Sequence, residues 1–333
     1  MPALNHTITD ILPGGKMRLD RYIAESLHLL SRSQIKAREL KAAVNGKETK
    51  ISHAVKNGDA LELLWKEAEP VNIIPENIPL DILYEDERAV VLNKPQGMVV
   101  HPGAGNRSGT LANALYYRKL AEKNKLAEVQ AQGQGPGPGL RPGIVHRLDK
   151  DTSGVMIAAY DDETLAFLAG QFKSRTAKKT YIAIVRGIPA EKKGRIETYI
   201  ARDPKDRKRF AVTPQGKIAV TRYSVIKTWS AHSLILLRPK TGRTHQLRVH
   251  LRYLGHPIAG DPLYGSADPL FPQATLMLHA RSLAIILPGE DKERVFRATL
   301  PERFVTMIRC LNGGGKASHT PGNCPRTGER VDG

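Results

Sequence analysis

The residues best placed to do chemistry lie between positions 141 and 160, in the run RPGIVHRLDKDTSGVMIAAY. An apolar stretch leads into the polar cluster His146–Asp151, and a second apolar stretch follows it. This pattern predicts two strands joined by a loop, and catalytic groups commonly lie at such junctions. Aspartate is also a favoured turn residue, and Ser153-Gly154 ends the cluster. The residues alone therefore leave two interpretations of Asp149 and Asp151 open, as catalytic carboxylates or as turn and cap residues.

A second cluster spans residues 238–254, RPKTGRTHQLRVHLRYL. Pro239–Gly242 predicts a turn. Three leucines after it have the spacing of a helix with one apolar face, namely Leu247, Leu251 and Leu254. Arg243 then falls at the start of this helix, beside the positive end of the helix dipole, where an arginine is unfavourable. We therefore expect a carboxylate or a phosphate close to Arg243.

Other familiar motifs are incomplete in this sequence. Gly313–Lys316 lacks the upstream glycine and the following Ser or Thr of a phosphate-binding loop. Ser153 has Asp151 where the nucleophile elbow of a serine hydrolase needs glycine. The 11 histidines include no helical pair with an acidic partner suited to zinc, and His245 and His250 are five positions apart. We therefore expect neither a metal ion nor a cofactor.

Residues 16–66 predict a compact unit of two helices and a β-hairpin. The first helix has apolar residues at helical spacing, namely Leu19, Tyr22, Ile23 and Leu27. Ser31 and Gln34 fit a capping box at the start of the second helix. Asn45-Gly46 predicts a tight turn because both residues tolerate positive φ, and Ala60–Trp65 predicts the closing strand.

The composition changes sharply between Glu67 and Glu87, where 7 acids and 3 prolines occur without any Lys or Arg. Beyond this segment, short β-rich runs alternate irregularly with helical patterns, which predicts an α+β domain with a mixed or antiparallel sheet. The expected strands are Ala89–Asn93, Val155–Tyr160, Tyr181–Val185 and Ser233–Leu237, and a helix is expected at Leu165, Leu168 and Phe172. The expected division is an extension at 1–15, a first domain at 16–66, a linker at 67–80, a second domain at 81–311 containing a loop at Gly133–Gly143, and a disordered tail at 312–333.

Positive charge is concentrated in two regions. The chain has 51 Lys and Arg against 33 Asp and Glu, a net charge of +18, and residues 171–250 alone have 20 bases against 4 acids. Residues 16–66 have 11 bases against 6 acids. Nucleic acid is the partner that this pattern favours, although solvated helix faces remain an alternative for the first unit. Residues 202–217 place 6 bases around Phe210 before a Pro214–Gly216 turn, which predicts a protruding basic hairpin that contacts phosphates.

The two cysteines, Cys310 and Cys324, lie near the C-terminus, where they cannot cross-link the core. This placement favours a reducing compartment. The first residues lack the apolar run and the cleavage site of a secretory signal, and no apolar stretch approaches membrane-spanning length. We therefore expect a cytoplasmic protein that does not act at a membrane.

Four motifs in order resemble those of the RluA-type family of pseudouridine synthases. They are LNKPQGMVVHP at 92–102, GIVHRLDKDTSG at 143–154, KKTYIAIVRG at 178–187 and RPKTGRTHQLRVHLRYLGHPIAGDPLYG at 238–265. The segment RLDRYIAESLHLLSRSQIKARELKAAVNGK resembles an S4 RNA-binding domain, which commonly precedes the catalytic domain in this family. The resemblance covers Lys16–Leu311 and implies a catalytic domain whose mixed, mainly antiparallel sheet is flanked by helices.

The resemblance also implies roles for individual residues. The catalytic set is Asp149 as the nucleophile, Tyr181 against the base and Arg243 as the partner of the aspartate. Contacts to the substrate are implied for Arg147, which would displace or hold the target nucleotide, and for His146 and Arg248. The alternative for Tyr181 is a core strand residue, and for His146 a structural hydrogen-bond partner. Bases expected to contact RNA elsewhere are Arg18, Arg21, Arg32, Lys36, Arg38 and Lys41 in the first unit, and Arg207, Lys208 and Arg209 in the hairpin.

Such an enzyme breaks the N1–C1′ bond of a uridine, turns the uracil and rejoins it through C5. No atom is gained or lost, so no cofactor is required. An ionised Asp149 could attack C1′ or the uracil ring, or stabilise a cationic sugar, and these routes stay open. The expected substrate is ribosomal RNA of the large subunit, flipped into the site of a monomeric enzyme. Two alternatives are a noncatalytic RNA-binding or ribosome-assembly protein with the same fold, and a DNA-binding protein or base-excision glycosidase.

Overall fold

The computed structural model describes residues 2–11, 15–30, 32–66, 73–103, 105–122 and 143–313. The chain divides into two compact units, Met1–Val71 and Asn72–Gly333. The expected cap residue Ser31, the side chain of Arg32, most of the expected loop at 133–143 and nearly all of the expected tail lie outside the described residues. Within the described residues, no helix is both long enough and apolar enough to cross a membrane.

The first unit combines two short helices with small antiparallel sheets. Its strands are β1 (Ala3–Thr7), β2 (Met17–Arg18), β3 (Lys41–Val44), β4 (Lys47–Thr49), β5 (Ala54–Val55) and β6 (Ala60–Leu64), and its helices are α1 (Leu19–Glu25) and α2 (Arg32–Ala37). One sheet has the order β1-β6-β3-β4, and β2 pairs with β5. Asn45 and Gly46 have φ values of 51° and 75°, which confirms the predicted tight turn between β3 and β4. The core includes Leu19, Tyr22, Ile23, Leu61 and Leu63.

The prediction of a separate N-terminal extension at 1–15 is wrong, because part of this segment belongs to the first unit. Strand β1 pairs along its whole length with β6, from Ala3 opposite Leu64 to Thr7 opposite Ala60. Ile8 and Ile11, which follow the strand, are buried in the core of the unit. The strand has no fully buried residue, so no apolar run marks it in the sequence. Its pairing with β6 depends on a partner more than fifty residues away.

The second unit is built on one large sheet. Its strands are β7 (Asp81–Glu85), β8 (Ala89–Lys94), β9 (Gly143–Ile144), β10 (Ser153–Ala159), β11 (Lys178–Arg186), β12 (Lys193–Arg202), β13 (Phe210–Val212), β14 (Lys217–Thr228), β15 (His232–Pro239), β16 (Leu278–Ile286) and β17 (Glu293–Arg297). The order is β13-β12-β14-β15-β11-β16-β10-β8-β7, with β17 beside β16 and β9 beside β10. Only β10 and β16 are parallel among the described strands. The prediction of an α+β fold with a mixed, mainly antiparallel sheet is thereby confirmed.

Within the described part of the second unit, four helices accompany this sheet, namely α3 (Leu111–Glu122), α4 (Asp162–Ser174), α5 (Gln246–Tyr253) and α6 (Glu302–Leu311). Helix α4 begins after Asp161, whose carboxylate accepts a hydrogen bond from Thr164 N at 2.7 Å. It ends at Arg175, which has a left-handed φ of 64°. The side chains of α5 and α6 join the largest core cluster, together with those of β11 and β15.

The expected linker at 67–80 is only partly a linker, since its second half packs on α3. Ile73 is buried against Ala112 and Tyr116 of that helix. Asn113 Nδ2 donates to the carbonyl oxygen of Ile74 at 2.7 Å. The predicted linker therefore includes a segment that packs on α3 of the second unit.

Candidate active site

Asp149 lies in the loop between β9 and β10, and its side chain is 21% exposed. The loop is a turn in which Thr152 N donates to Asp149 O at 3.1 Å. The backbone of Asp149 therefore makes a turn, as one interpretation of the sequence predicted, while its carboxylate faces a cleft. Gly154 ends the turn with a φ of 119°, and a Cβ atom there would collide with the backbone of Ala280 in β16.

A buried lysine forms hydrogen bonds to the backbone of this loop. Lys94 is fully buried at the end of β8. Its Nζ donates to the carbonyl oxygens of Pro95 and Met98 at 2.8 Å and of Lys150 at 3.0 Å. Burial lowers the pKa of Lys94 to about 7, although the charges of Asp151 and Asp149 oppose this shift. Lys94 lies in the motif at 92–102, and nothing in the sequence around it predicted this role.

Two further contacts from the same motif fix the loop. Gly97 N donates to the Lys150 carbonyl oxygen at 2.9 Å. Gln96 Nε2 donates to the Asp151 carbonyl oxygen at 3.0 Å. The backbone on the C-terminal side of Asp149 is thus held by side-chain and backbone donors from residues 94–97. Such support from neighbouring hydrogen bonds is what keeps a reactive side chain in one position.

Arg248 is the arginine beside Asp149. Its Nη1 lies 3.7 Å from Asp149 Oδ2. Its Nε and Nη2 donate to the two carboxylate oxygens of Asp261 at 2.8 and 2.7 Å. Both partners are buried, with side-chain exposures of 3% and 0%. Burial opposes ionisation of Asp261, but the hydrogen bonds and charge of Arg248 outweigh it and lower the pKa of Asp261.

The resemblance implied that Arg243 pairs with Asp149, but the structure places Arg248 there. Arg243 Nε instead donates to the carbonyl oxygen of Ile218 at 3.0 Å. The helix expected to start at Arg243 begins at Gln246, preceded by His245. This later start places Arg248 in the first turns of α5, directed at Asp149. Arg243 still lines the same cleft.

His245 is a second neighbour of Asp149 that the sequence analysis considered only as a metal ligand. Its Nε2 lies 4.0 Å from Asp149 Oδ2. Its Nδ1 is 2.8 Å from the hydroxyl of Tyr264, which also accepts a hydrogen bond from Phe210 N at 2.8 Å. With that oxygen accepting from Phe210, the hydroxyl proton is available to His245 Nδ1, which would leave the Nε2 proton facing Asp149. Burial lowers the pKa of His245.

Tyr181 lies on β11, where a register shift separates it from Thr180. Such irregularities re-aim side chains next to active sites. Tyr181 lines the cleft with Asp149 and is half-buried. Burial, and then the charge of Asp149, raise the pKa of Tyr181, so the hydroxyl keeps its proton at neutral pH.

His146 and Arg147 precede Asp149 and have different surroundings. His146 Nε2 accepts a hydrogen bond from Ile157 N at 3.2 Å, and its ring stacks on Phe172 at 4.5 Å. Burial, with a contribution from Lys179, lowers the pKa of His146 to about 3. The hydrogen bond from Ile157 N is the contact that the alternative interpretation of His146 predicted, and the side chain also lines the cleft. Arg147 is exposed on the cleft wall.

The cleft has a volume of about 850 Å³, within the range typical of small-molecule sites. Ten cationic side chains line it, namely Arg147, Lys173, Arg175, Lys178, Lys179, Arg222, Arg238, Lys240, Arg243 and Arg248. Among the described residues that line it, Asp149 is the one acid. A single carboxylate in a cationic cleft suits a polyanionic substrate that meets one acidic group.

The basic residues expected to contact RNA outside the cleft differ in whether an acidic side chain lies against them. Arg18 pairs with Asp20 at 3.0 Å and Arg21 with Glu25 at 2.6 Å, so each is partly neutralised. In the hairpin, Arg209 lies 3.2 Å from Asp206. The others with described side chains are exposed or half-buried, namely Lys36, Arg38, Lys41, Arg207 and Lys208. The hairpin itself is present, with residues 203–209 joining β12 to β13.

Comparisons with known proteins identify the family of this chain. The family model described as "RNA pseudouridylate synthase" matches residues 88–253. The ribosomal large subunit pseudouridine synthase D of Borreliella burgdorferi is 42% identical over 299 residues, 88% of this chain and 89% of the relative. An uncharacterised RNA pseudouridine synthase of Aquifex aeolicus is 41% identical over 310 residues, 90% of this chain and 95% of the relative.

Among solved structures, human RNA Pseudouridylate Synthase Domain Containing 4 matches with a TM-score of 0.55 and 28% identity. The match covers 70% of this chain and 93% of that one. The chain therefore belongs to the RNA pseudouridylate synthase family.

Proposed function

We propose that the protein isomerises uridine to pseudouridine in ribosomal RNA of the large subunit, with Asp149 as the catalytic carboxylate. The observation that carries the assignment is the lone carboxylate of a cationic cleft, 3.7 Å from an arginine that Asp261 holds in place. The ribosomal substrate is supported by the name of the relative from Borreliella burgdorferi. The charge of the cleft suits the phosphates of RNA.

The reaction breaks the N1–C1′ bond and forms a C5–C1′ bond, and a proton leaves C5 while N1 gains one. Asp149 would attack the nucleoside or stabilise its charge, as a nucleophilic or ion-pairing carboxylate. Arg248 would orient the carboxylate, since its other two donors are committed to Asp261. Tyr181, which keeps its proton, would contact the flipped base. Arg147 would hold the displaced nucleotide, and Arg243 would contact RNA at the cleft wall.

We further propose that the first unit is an S4-type RNA-binding domain. Residues 16–66 have 11 bases against 6 acids, and their two helices and hairpin fit that assignment. Its basic side chains would add phosphate contacts to those of the cleft. We also propose that the enzyme works in the cytoplasm as a monomer.

The test compares Asp149→Asn with Asp151→Asn, a matched change two positions away in the same loop. The substrate is transcribed large-subunit ribosomal RNA, and pseudouridine is measured by mass spectrometry of nuclease fragments. We expect Asp149→Asn to abolish isomerisation while RNA binding is nearly unchanged, and Asp151→Asn to retain activity. A wild-type protein that binds the RNA without isomerising it would instead be a noncatalytic RNA-binding protein. Release of free uracil would identify a glycosidase.

The substrate is tested separately by mapping pseudouridines in cellular RNA with and without the gene. We expect sites to disappear from the large-subunit ribosomal RNA. Loss of sites only from transfer RNA would keep the reaction and overturn the substrate.

A further inference from the structure

A row of arginines crosses the large sheet beside the active site. On β12, β14 and β15, Arg195 lies opposite Arg222, and Arg222 lies opposite Arg238. Directly opposed residues of neighbouring strands project from the same face of a sheet. Three guanidinium groups therefore project side by side from adjacent strands.

The row continues onto three further strands of the sheet. Tyr181 opposite Leu237 is the last pair of β11 and β15, and the next residues outward on the two strands are Thr180 and Arg238. Thr180 lies opposite Ser282, and Ser282 opposite Arg297. The row thus spans six strands, or about 24 Å at the usual strand spacing. Four of its members line the active-site cleft, namely Arg222, Arg238, Thr180 and Ser282.

Like charges placed directly opposite each other on a sheet are destabilising. Arg195 is compensated by an ion pair with Glu197. Arg222 and Arg238 are both exposed, and neither has an acidic partner among the described residues. An anion bound between these two guanidinium groups would relieve the repulsion, and a phosphodiester fits their forked donors.

The same face also presents apolar groups. Tyr199 lies opposite Ile218, and their exposures are 51% and 39%. Side chains of a strand alternate between the two faces of the sheet, so Tyr199 projects from the same face as Arg195. Ile196 and Ile200 project from the opposite face and are buried. Tyr199 is four residues along β12 from Arg195, about 13 Å at the usual rise of a strand, and Glu197 lies between them on this face. Unpaired bases stack on exposed aromatic rings within such basic surfaces.

We infer that this face, the arginine row with Tyr199, binds the single-stranded RNA that flanks the target uridine. One phosphate lies between Arg222 and Arg238, and a neighbouring base stacks on Tyr199. This assignment rests on the proposed function, because the RNA bound to this face would continue into the cleft that contains Asp149. An acidic peptide would satisfy the arginines but would leave the tyrosine without a stacking partner.

The test measures binding of a short uridine-containing RNA strand by fluorescence anisotropy across a range of salt concentrations. The variant is Arg222→Gln with Arg238→Gln in the full chain. The matched control removes the same charge from two exposed arginines outside the cleft, by Arg88→Gln with Arg309→Gln. Each lost contact to a single strand lowers the slope of log affinity against log salt by about 0.7. We expect the slope to fall by about 1.4 in the variant and by less than half of that in the control.

A merely structural role of the two arginines would lower the melting temperature of the variant. We expect the melting temperature to be unchanged or raised, because the substitutions remove repulsion. Equal slopes in variant and control would overturn the inference. Competition by poly-glutamate as strong as that by RNA of equal charge would overturn it too.

Stacking is tested by Tyr199→Ala, with Tyr199→Phe as its conservative partner. We expect Tyr199→Ala to weaken binding of the single strand about tenfold without changing the salt slope, and Tyr199→Phe to restore it. Weakening of duplex RNA binding by the same factor would contradict a site for unpaired bases. These binding measurements do not depend on turnover. An inactive wild-type protein would contradict the proposed function alone. Isomerisation by the wild type, with equal salt slopes of binding in variant and control, would contradict this inference alone.

Discussion

Arg248 and the pair Arg222–Arg238 line the same cleft with the same charge in opposite settings. Arg248 has 3% side-chain exposure, its Nε and Nη2 donate to Asp261, and its Nη1 faces Asp149. Arg222 and Arg238 are exposed and have no acidic partner among the described residues. Burial with a fixed partner gives one geometry, whereas exposure leaves a charge available to a mobile anion. One setting suits positioning of a reactive group, and the other suits binding.

The largest expected effect comes from breaking the buried pair. Asp261→Ala leaves Nε and Nη2 of the buried Arg248 guanidinium without acceptors, with Asp149 as its remaining acidic neighbour. Breaking a buried ion pair typically costs about 3–5 kcal/mol. We expect the free energy of unfolding of the second unit to fall by that amount in urea, with loss of isomerisation.

The compensating double variant sharpens this prediction. Asp261→Asn retains an acceptor for Leu263 N and Tyr264 N, and Arg248→Met removes the charge. We expect the double variant to regain much of the stability without any activity. Equal stability of Asp261→Ala and the wild type would show that the pair contributes nothing to the fold.

The second effect concerns the buried lysine behind the catalytic loop. The pKa of Lys94 is about 7 in the folded chain against 10.5 for a free side chain, so the unfolded chain binds more protons between these values. Stability should therefore rise with pH from about 7 towards 10.5, and Lys94→Met should remove this contribution. The difference in melting temperature between wild type and variant, followed across this range, measures it.

Lys94→Met should also loosen the loop. Small misplacement of a catalytic group can lower turnover by as much as about 100-fold. We expect a lower kcat with a nearly unchanged KM. If Lys94→Met had the wild-type kcat and the same dependence of melting temperature on pH, Lys94 would have neither of these roles.

The smallest effect is expected at an exposed ion pair. Arg21 and Glu25 are one helical turn apart, with side-chain exposures of 59% and 52%. Glu25→Gln should lower the free energy of unfolding by about 0.5 kcal/mol at most. It should leave RNA affinity unchanged or slightly raised, because Arg21 is released. A loss of several kcal/mol at this surface site would contradict the contrast between buried and exposed charges.

Much of the fold could be predicted because local patterns agree with it. The apolar runs of β8, β10, β11 and β15 were identified within a few residues of their observed bounds, since these strands are central and buried. Strand β1 could not be found, because its residues are exposed or half-buried and only its pairing with β6 reveals it. Pairing across long sequence separations leaves little local trace.

The site shows the same division. Asp149 was found through its motif, whereas its arginine partner was misassigned by five residues. The start of α5 is set by Gln246, whose side chain bonds Thr241, Val220 and Thr221. Those contacts come from β14 and the turn after β15, and helical periodicity does not include them. Lys94 and Asp261 were missed for the same reason, since their roles depend on burial.

We expect Arg248, and not Arg243, to position the carboxylate of Asp149. Arg248→Lys and Arg243→Lys both keep the charge and remove the forked geometry, so they form a matched pair. Single-turnover isomerisation at saturating RNA tests them directly. We expect Arg248→Lys to lower the rate by about 100-fold, because a lysine cannot bond Asp261 twice and still face Asp149. Arg243→Lys should stay within about tenfold of wild type. A larger loss in Arg243→Lys than in Arg248→Lys would contradict the account.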